Sequence, residues 1–279
     1  MLISDHIRQT IRRLEKAGVD SPGLSGRLLV CHATGLDKIA LLLAGNTEID
    51  EAASARLDRL VERRAQGEPL AYILGKREFY GLEFFVDNST LVPRPETELL
   101  VDLALELFPA GQATFADIGC GSGCIGIALL TQRPGWKGLL IDFSARALAV
   151  TAKNATKNAL KCAIVQADIF ALPLARNSLD LCISNPPYIA YAEKPLVMPE
   201  CLAFEPHSAL FSPNNGLGHL EAVINGASVC LKPGGWIIVE HGMAQAEPVK
   251  ELLQGAGFAS VNCRRDLAGL NRCTFGQKG

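Results

Sequence analysis

Strand-like and helix-like runs alternate along the second half of the chain, and this alternation constrains the fold more than any other feature. From residue 113 onward, apolar runs of strand length occupy 114–118, 138–141, 162–165, 179–184 and 236–240. The stretches with helical spacing between them are 122–132, 144–158, 218–231 and 244–256. This pattern predicts an α/β domain, a parallel sheet with helices on both faces. The last two runs, 258–263 and 270–276, predict an antiparallel hairpin that makes the sheet mixed at its edge.

The first 74 residues have a different pattern. Apolar side chains such as Ile7, Ile11 and Leu14 recur at helical spacing and predict a small all-α domain over residues 1–74. Such a domain is either a structural appendage or a docking platform for a macromolecular substrate. Residues 75–92 place aromatic side chains on both sides of Gly81, which predicts a β-hairpin linker to a third region over 93–279.

Composition indicates a folded, cytoplasmic protein. Hydrophobic residues make up 48 % of the chain, the mean hydropathy is +0.18, and no segment keeps ~18 apolar residues together. The net charge of −2 disfavours an extended nucleic-acid surface, so no direct nucleic-acid partner and no membrane are expected. One arginine-rich run alternates with Asp58 and Glu62 and predicts a solvated helix face. Its arginines are Arg56, Arg59, Arg63 and Arg64.

The nine cysteines lack a CxxC pair and clustered histidines. They are typical of small buried hydrophobic residues in a reducing compartment. We therefore expect neither a metal site nor a disulfide framework.

The first predicted strand of the α/β region runs into a glycine-rich turn. Glycines at that point allow a tight turn and a close approach of a ligand to the backbone, as in nucleotide-binding loops. The residues expected to contact a cofactor here are Asp117, Gly119, Cys120, Gly121, Ser122 and Gly123. The next strand ends at Asp142, whose carboxylate can accept both hydroxyl groups of a ribose. After the third strand, Asp168 offers an acceptor for an adenine amine, and Phe170 offers an aromatic face.

Two cofactor classes compete for this turn. Residues 121–126 also satisfy the G-x-G-x-x-G pattern of dinucleotide enzymes, with Asp142 near the position of their ribose carboxylate. Asp117 precedes the glycines, where it would oppose a pyrophosphate but suits a positively charged amino-acid ligand. This favours S-adenosylmethionine over NAD, and the motif after the fourth strand points the same way.

That motif is Asn185-Pro186-Pro187-Tyr188. The Asn185 side chain offers a carbonyl acceptor, and Pro186 leaves its own carbonyl free while contributing no N–H group. Two such acceptors hold both hydrogens of a planar –NH2 group, with Tyr188 as an aromatic wall beside it. A stiff exit turn after a strand is the alternative interpretation. Elsewhere, Glu240 and His241 are neighbours on a strand and point to opposite faces, so we expect a structural or rim role for His241. We expect His207 to lie at the surface or at the rim of the pocket.

Read in order, these motifs resemble the release factor glutamine methyltransferases, the HemK/PrmC family. The resemblance rests on the motifs at 67–75, 78–82, 93–98, 117–123, 185–188 and 204–206. It implies a class I S-adenosylmethionine-dependent methyltransferase fold, Rossmann-like, behind a helical N-terminal domain. It also implies methylation of the glutamine in the Gly-Gly-Gln loop of class 1 peptide chain release factors, which gives N5-methylglutamine.

The resemblance assigns roles to individual residues. Residues 119–123 with Asp142, Phe170 and Asn185 would contact the cofactor, and residues 185–188 would hold the glutamine amide. Phe143 stands where an aliphatic residue is more usual, and Phe170 where some members carry tryptophan. The alternative activities are an N6-adenine methyltransferase on DNA or RNA, because adenine also presents an –NH2 group, and a non-catalytic binding module with the same fold.

Overall fold

A computed structural model describes residues 1–279 of the protein. The α-helices are α1 (Ile3–Lys16), α2 (Pro22–Thr34), α3 (Lys38–Leu43), α4 (Glu51–Ala65), α5 (Leu70–Leu74), α6 (Glu98–Leu107), α7 (Cys124–Gln132), α8 (Ala145–Lys157), α9 (Pro199–Phe204), α10 (Gly218–Cys230) and α11 (Ala246–Gly255). The strands are β1 (Lys76–Phe79), β2 (Leu82–Phe85), β3 (Thr114–Ile118), β4 (Lys137–Asp142), β5 (Ala163–Gln166), β6 (Leu179–Ser184), β7 (Ile189–Ala190), β8 (Phe211–Ser212), β9 (Leu231–Glu240), β10 (Phe258–Arg265) and β11 (Asn271–Lys278).

The chain forms two compact units. The first comprises Met1–Gly75 with Met198–Phe204, and the second comprises Lys76–Val197 with Glu205–Gly279. Helices α1 to α5 build the first unit around a core that includes Leu14, Leu29 and Leu57. Asp50 begins α4 by accepting a hydrogen bond from the Ala53 amide at 2.6 Å. The helical pattern predicted for the N-terminal region is therefore present.

One arginine of this unit does not lie on the solvated face predicted for it. Arg64 is buried, and its Nη1 donates to the Glu68 carbonyl at 2.8 Å and to Glu200 Oε2 at 2.9 Å. Its neighbour Arg63 is exposed and pairs with Glu68, as the charge pattern suggested. The prediction was wrong for Arg64 because Glu200 returns to this unit from a distant part of the sequence.

The second unit is built on a seven-stranded sheet in the order β10-β11-β9-β6-β3-β4-β5. Strands β9, β6, β3, β4 and β5 are parallel, and β11 pairs antiparallel with both β9 and β10. The mixed α/β sheet and its antiparallel edge are confirmed. The main difference is at β9, which begins at Leu231 rather than at Trp236, because Leu231 pairs with Leu179 before a register shift.

Each face of the sheet is covered by helices, as predicted. Alternate residues of β3 enter different cores: Phe115 packs with α6, α7 and α8, whereas Ala116 packs with α10 and α11. The β1–β2 hairpin joins the first of these cores through Phe79 and Phe84. Asn154 of α8 holds this hairpin by bonding to both the amide and the carbonyl of Phe85. No helix has the length and apolar character that crossing a membrane requires.

Candidate functional site

A cavity of about 390 Å³ lies in the second unit, at the carboxyl ends of the parallel strands. The turns after β3, β4, β5 and β6 all contribute to its lining. Strand order explains this convergence: from β3 the chain runs outward through β4 and β5, and β6 then pairs with the other side of β3. Ligands of open α/β sheets bind at such a reversal of strand order.

Nine of the residues predicted from the sequence line this cavity. They are Gly119, Cys120, Gly121, Ser122, Asp142, Asp168, Phe170, Asn185 and Pro187. Four others are not at its surface: Asp117, Gly123, Pro186 and Tyr188.

Backbone bonds shape the turn after β3. The amides of Gly119 and Cys120 both donate to the Ile141 carbonyl, at 2.8 and 2.9 Å. Gly119 and Gly121 have φ values of +74° and +56°, in the left-handed region that favours glycine. A Cβ atom at either position would project into open space, so the backbone itself forms this wall of the cavity.

Asp142 connects two turns at the end of β4. Its Oδ2 accepts from the Gly121 amide and its Oδ1 from the Ser144 amide, both at 2.8 Å. Burial raises the pKa of Asp142, and these amides oppose the shift by stabilising the charged form. Each oxygen retains a lone pair, so the carboxylate can still accept two hydroxyl groups.

An aromatic pair lies on the next turn. The Phe170 ring is 59 % exposed, and its centroid is 5.2 Å from that of His219. Asp168 Oδ1 accepts from the Phe170 amide at 3.0 Å, which leaves Oδ2 for a ligand. His219 lines the cavity beside them, and its Nδ1 lies 2.8 Å from Ser212 Oγ. The sequence did not indicate a role for His219, because this residue lies on α10, far along the chain from Phe170.

These residues fit S-adenosylmethionine. Gly119 and Gly121 leave room for a ligand against the backbone, and Asp142 offers free acceptor capacity for a ribose. Phe170 presents an exposed ring for an adenine. The cavity lining includes two carboxylates, Asp142 and Asp168, and one arginine, Arg94, a balance that suits a cationic sulfonium and ammonium.

Asp117 is placed beneath the turn and not at the cavity surface. It is fully buried, and its Oδ2 accepts from the Gly126 amide at 2.9 Å, at the start of α7. Its Oδ1 has no partner in the protein. Burial raises the pKa of Asp117 to about 7, and the charge of Asp142 adds to that shift. Direct contact between Asp117 and a cofactor stays a prediction.

Asn185 directly follows β6 and lies at the end of a polar chain of three side chains. Its Nδ2 donates to Thr97 Oγ1 at 3.0 Å, and that hydroxyl donates to Glu240 Oε2 at 2.7 Å. The structure contains no protein donor for Asn185 Oδ1 or for the Pro186 carbonyl. Two acceptors of the motif are therefore available to a bound –NH2 group.

Tyr188 is held away from the cavity surface at both its hydroxyl and its backbone. The hydroxyl donates to Glu240 Oε1 at 3.3 Å, and Gln245 Nε2 donates to the Tyr188 carbonyl at 3.0 Å. Burial raises the pKa of the Tyr188 phenol well above its usual range. The aromatic side chain from this loop that does line the cavity is Tyr191, which stacks on Phe211 with centroids 5.5 Å apart.

Other charged and titratable residues near the site have structural partners. Glu205 is buried and accepts from Arg94 Nη2 at 2.6 Å. His241 is fully buried between the Gly242 carbonyl and Thr274 Oγ1, at 2.8 and 2.7 Å, as expected for a structural histidine. His207 is exposed and contacts Phe211 edge-on. No group of His, Cys, Asp and Glu side chains is arranged to hold a metal ion.

Comparison with known proteins identifies the family. The PrmC N-terminal domain matches residues 5–75, and the methyltransferase small domain matches residues 96–204. The release factor glutamine methyltransferase of Nitratidesulfovibrio vulgaris is 43 % identical over 276 residues, covering 98 % of this chain and 94 % of that protein. The enzyme of the same name from Xylella fastidiosa is 40 % identical, covering 89 % of this chain and 90 % of that protein. The chain belongs to the release factor glutamine methyltransferases.

Solved structures agree on the fold. A methyltransferase from Pyrococcus furiosus superposes with a TM-score of 0.55 at 17 % identity, covering 81 % of this chain and 99 % of that one. The class I methyltransferase fold predicted from the sequence is confirmed, as is the assignment to an S-adenosylmethionine-dependent family. The NAD alternative is thereby set aside.

Proposed function

We propose that this protein transfers a methyl group from S-adenosylmethionine to the side-chain amide nitrogen of the glutamine in the Gly-Gly-Gln motif of class 1 peptide chain release factors. Relatives that are 35–43 % identical to this chain are named release factor glutamine methyltransferases, and the similarity extends over nearly their whole length. The observation that carries the proposal is that Asn185, whose Oδ1 has no protein donor, lines the cofactor cavity, and that the carbonyl of its chain neighbour Pro186 also has no protein donor.

The two acceptors match the two hydrogens of a primary amide. Asn185 Oδ1 and the Pro186 carbonyl each accept one N–H bond, and together they fix the plane and direction of the amide nitrogen. Pro186 and Pro187 supply no amide hydrogen, so neither competes for these acceptors. Holding the amide at both hydrogens excludes alternative orientations, which is a large part of what a transferase must achieve.

An amide nitrogen is a weak nucleophile because its lone pair is delocalised into the carbonyl. When bound, S-adenosylmethionine supplies an electrophilic methyl group on a sulfonium sulfur. The acceptors of Asn185 and Pro186 stabilise the positive charge that develops on the nitrogen as the new N–C bond forms and the C–S bond breaks. The nitrogen then loses one proton, and the products are N5-methylglutamine and S-adenosylhomocysteine.

The motif at 185–188 contains no strong base that could remove that proton. Glu240 is 2 % exposed and is screened from the cavity by Thr97 and Asn185. Buried thiols are equally unsuited, since burial raises the pKa of Cys124 to about 12. Orientation and charge stabilisation must therefore supply most of the rate, and the proton leaves after transfer.

Mass spectrometry of a substrate tests the proposal. A purified class 1 release factor is incubated with this protein and S-adenosylmethionine, and the peptide with the Gly-Gly-Gln motif is analysed. The expected result is the added mass of one methyl group on the glutamine. A release factor with that glutamine replaced by alanine is the matched control and should gain no mass.

A second arm addresses the rival substrate. Adenine presents an –NH2 group with the same two donors, so single- and double-stranded DNA and RNA are incubated with labelled cofactor under the same conditions. A net charge of −2 disfavours the extended basic surface that nucleic-acid binding usually needs. Label on adenine, with none on the release factor, would overturn the proposal.

A further inference from the structure

The polar chain behind Asn185 consists of residues far apart in sequence. Thr97 ends the short 3-10 helix Pro95–Thr97, Asn185 follows β6, and Glu240 ends β9. Pairing of Ser184 with Val239 brings the ends of β6 and β9 side by side. Thr97 and Glu240 are each 2 % exposed, so water does not substitute for either partner.

We propose that Thr97 and Glu240 are positioning residues that fix the orientation of the Asn185 amide, with its oxygen directed to the substrate. The proposal rests on the function proposed above and adds how the site selects a substrate with hydrogen-bond donors. Neither Thr97 nor Glu240 needs to touch the substrate.

The chemistry of the three groups fixes which group donates and which accepts in each hydrogen bond between Asn185, Thr97 and Glu240. An ionised carboxylate can only accept hydrogen bonds, so above the pKa of Glu240 the Thr97 hydroxyl must give its single proton to that carboxylate. The Thr97 oxygen then has only lone pairs left to offer. Asn185 must therefore turn its Nδ2 toward Thr97, which places Oδ1 at the other end of the amide.

If the Asn185 side-chain amide were reversed, it would bind the –NH2 group of the substrate poorly. With Nδ2 facing the substrate, two donors would meet the N–H groups of a glutamine amide, and the Pro186 carbonyl would be the only acceptor left. The Asn side chain is nearly symmetrical in shape, so packing alone does not distinguish the two orientations. A buried hydrogen-bond chain with one fixed end does distinguish them.

Several groups around Glu240 support its role as an acceptor. Tyr188 donates to its second oxygen, Oε1, at 3.3 Å. Burial raises the pKa of Glu240 to about 7, and the bonds from Thr97 and Tyr188 together with the charge of Arg272 oppose that shift by favouring the charged form. The cysteines facing it, Cys124 of α7 and Cys273 of β11, are buried and their pKa values are raised, so they stay neutral.

Kinetics of two Thr97 variants test the proposal. Thr97→Val keeps the shape of the side chain but removes the hydroxyl, and Thr97→Ser keeps the hydroxyl. For Thr97→Val we expect kcat on the release factor to fall about tenfold or more, as misorientation of one acceptor implies. KM for the factor and Kd for S-adenosylmethionine should change less than about threefold. Thr97→Ser should retain kcat within about threefold of the wild type.

Glu240→Met provides an independent variant. Glu240→Met leaves the Thr97 and Tyr188 hydroxyls without their acceptor, so it should lower the unfolding midpoint. The kinetics are therefore measured at a temperature where circular dichroism shows a folded protein and Kd for S-adenosylmethionine is unchanged, and a fall in kcat under those conditions indicates lost orientation. Wild-type kcat in Thr97→Val would overturn the proposal. So would equal losses in Thr97→Val and Thr97→Ser, because the hydroxyl would then not be the cause.

A spectroscopic readout separates this proposal from the proposed function. In protein labelled with 15N-asparagine, the Asn185 side-chain amide is assigned by its absence in Asn185→Ala. We expect slow exchange of its Nδ2 hydrogens with solvent in the wild type and in Thr97→Ser, and faster exchange in Thr97→Val. Unchanged exchange in Thr97→Val would refute the orienting contact, whether or not the release factor proves to be the substrate.

Discussion

The turn after β3 and the turn after β6 follow neighbouring strands and face the same cavity, yet they are held in different ways. In the first, the groups that are held belong to the backbone of the turn: Gly119 and Cys120 donate to the Ile141 carbonyl, and Gly121 bonds to the side chains of Asp142 and Thr151. The second is held by side chains from elsewhere, Thr97, Glu240 and Gln245. Under the proposed function, the first turn provides space for the cofactor, and the second directs two acceptors at the substrate amide.

This difference predicts separable defects. Damage to the first turn should weaken cofactor binding, and a higher cofactor concentration should compensate for it. Damage to the second should slow transfer even when the cofactor is saturating.

Asn185→Ala should have the largest effect. Removing one preorganised acceptor of the reacting group should lower the rate at saturating cofactor by about 100- to 1,000-fold. Transfer to the release factor is measured with labelled S-adenosylmethionine, and the unfolding midpoint is recorded in parallel. Asn225→Ala, on the exposed surface of α10, is the matched control. A rate within about threefold of the wild type would show that Asn185 does not hold the amide.

Asp142→Ala should have the next largest effect, a loss of affinity for S-adenosylmethionine. Loss of two charge-assisted hydrogen bonds to a ribose, together with the bond to the Gly121 amide, should raise Kd for S-adenosylmethionine about 100-fold. Isothermal titration calorimetry measures the change. Asp20→Ala is the control, because that side chain is exposed and does not line the cavity. An unchanged Kd in Asp142→Ala would show that Asp142 does not bind the ribose.

Gly121→Ala should have a smaller effect on the same property. The new methyl group projects into the open cavity at a φ of +56°, so Kd should rise about tenfold through steric conflict with the ligand. Gly111→Ala introduces a similar backbone strain at a φ of +93°, away from the cavity, and should leave Kd unchanged. Equal changes in the two variants would attribute the effect to strain and not to the site.

The smallest effect concerns stability and pH. Burial raises the pKa of Asp117 to about 7 in the folded protein, whereas its ordinary value is 3.8. The folded state therefore binds more protons than the unfolded state between these values, and the free energy of unfolding decreases as pH rises through that window. Between pH 5 and pH 6, Asp117→Asn should remove at most about 1.4 kcal/mol of this decrease.

Urea unfolding without cofactor at the two pH values measures this decrease in the free energy of unfolding. Asp168→Asn is the control, since Asp168 is exposed. The same decrease in Asp117→Asn as in the wild type would mean that Asp117 is not the group responsible.

The two turns also differ in how well their sequence predicted them. The glycine turn, Asp142 and Phe170 follow one another within about two strand–helix repeats, so periodicity and turn chemistry place them correctly around one cavity. The motif at 185–188 predicts a site for an –NH2 group, but it does not reveal that the Tyr188 hydroxyl donates to Glu240.

Long-range contacts account for what the sequence did not predict. Thr97, Asn185 and Glu240 are brought together by the strand order, which only the fold specifies. The same reason explains why the burial of Arg64 was not predicted: its partner Glu200 lies in a distant segment that belongs to the helical unit. His219 belongs to this class as well, because α10 brings it to Phe170.

The most direct test of the separation between the two turns is the rate of methyl transfer to the release factor as a function of S-adenosylmethionine concentration, in Asp142→Ala and Asn185→Ala. The account predicts that Asp142→Ala reaches nearly the wild-type plateau with a half-saturation about 100-fold higher. Asn185→Ala should shift the half-saturation far less than Asp142→Ala does and have a plateau lower by about 100-fold or more. Curves in which both variants lose plateau and affinity alike would contradict it.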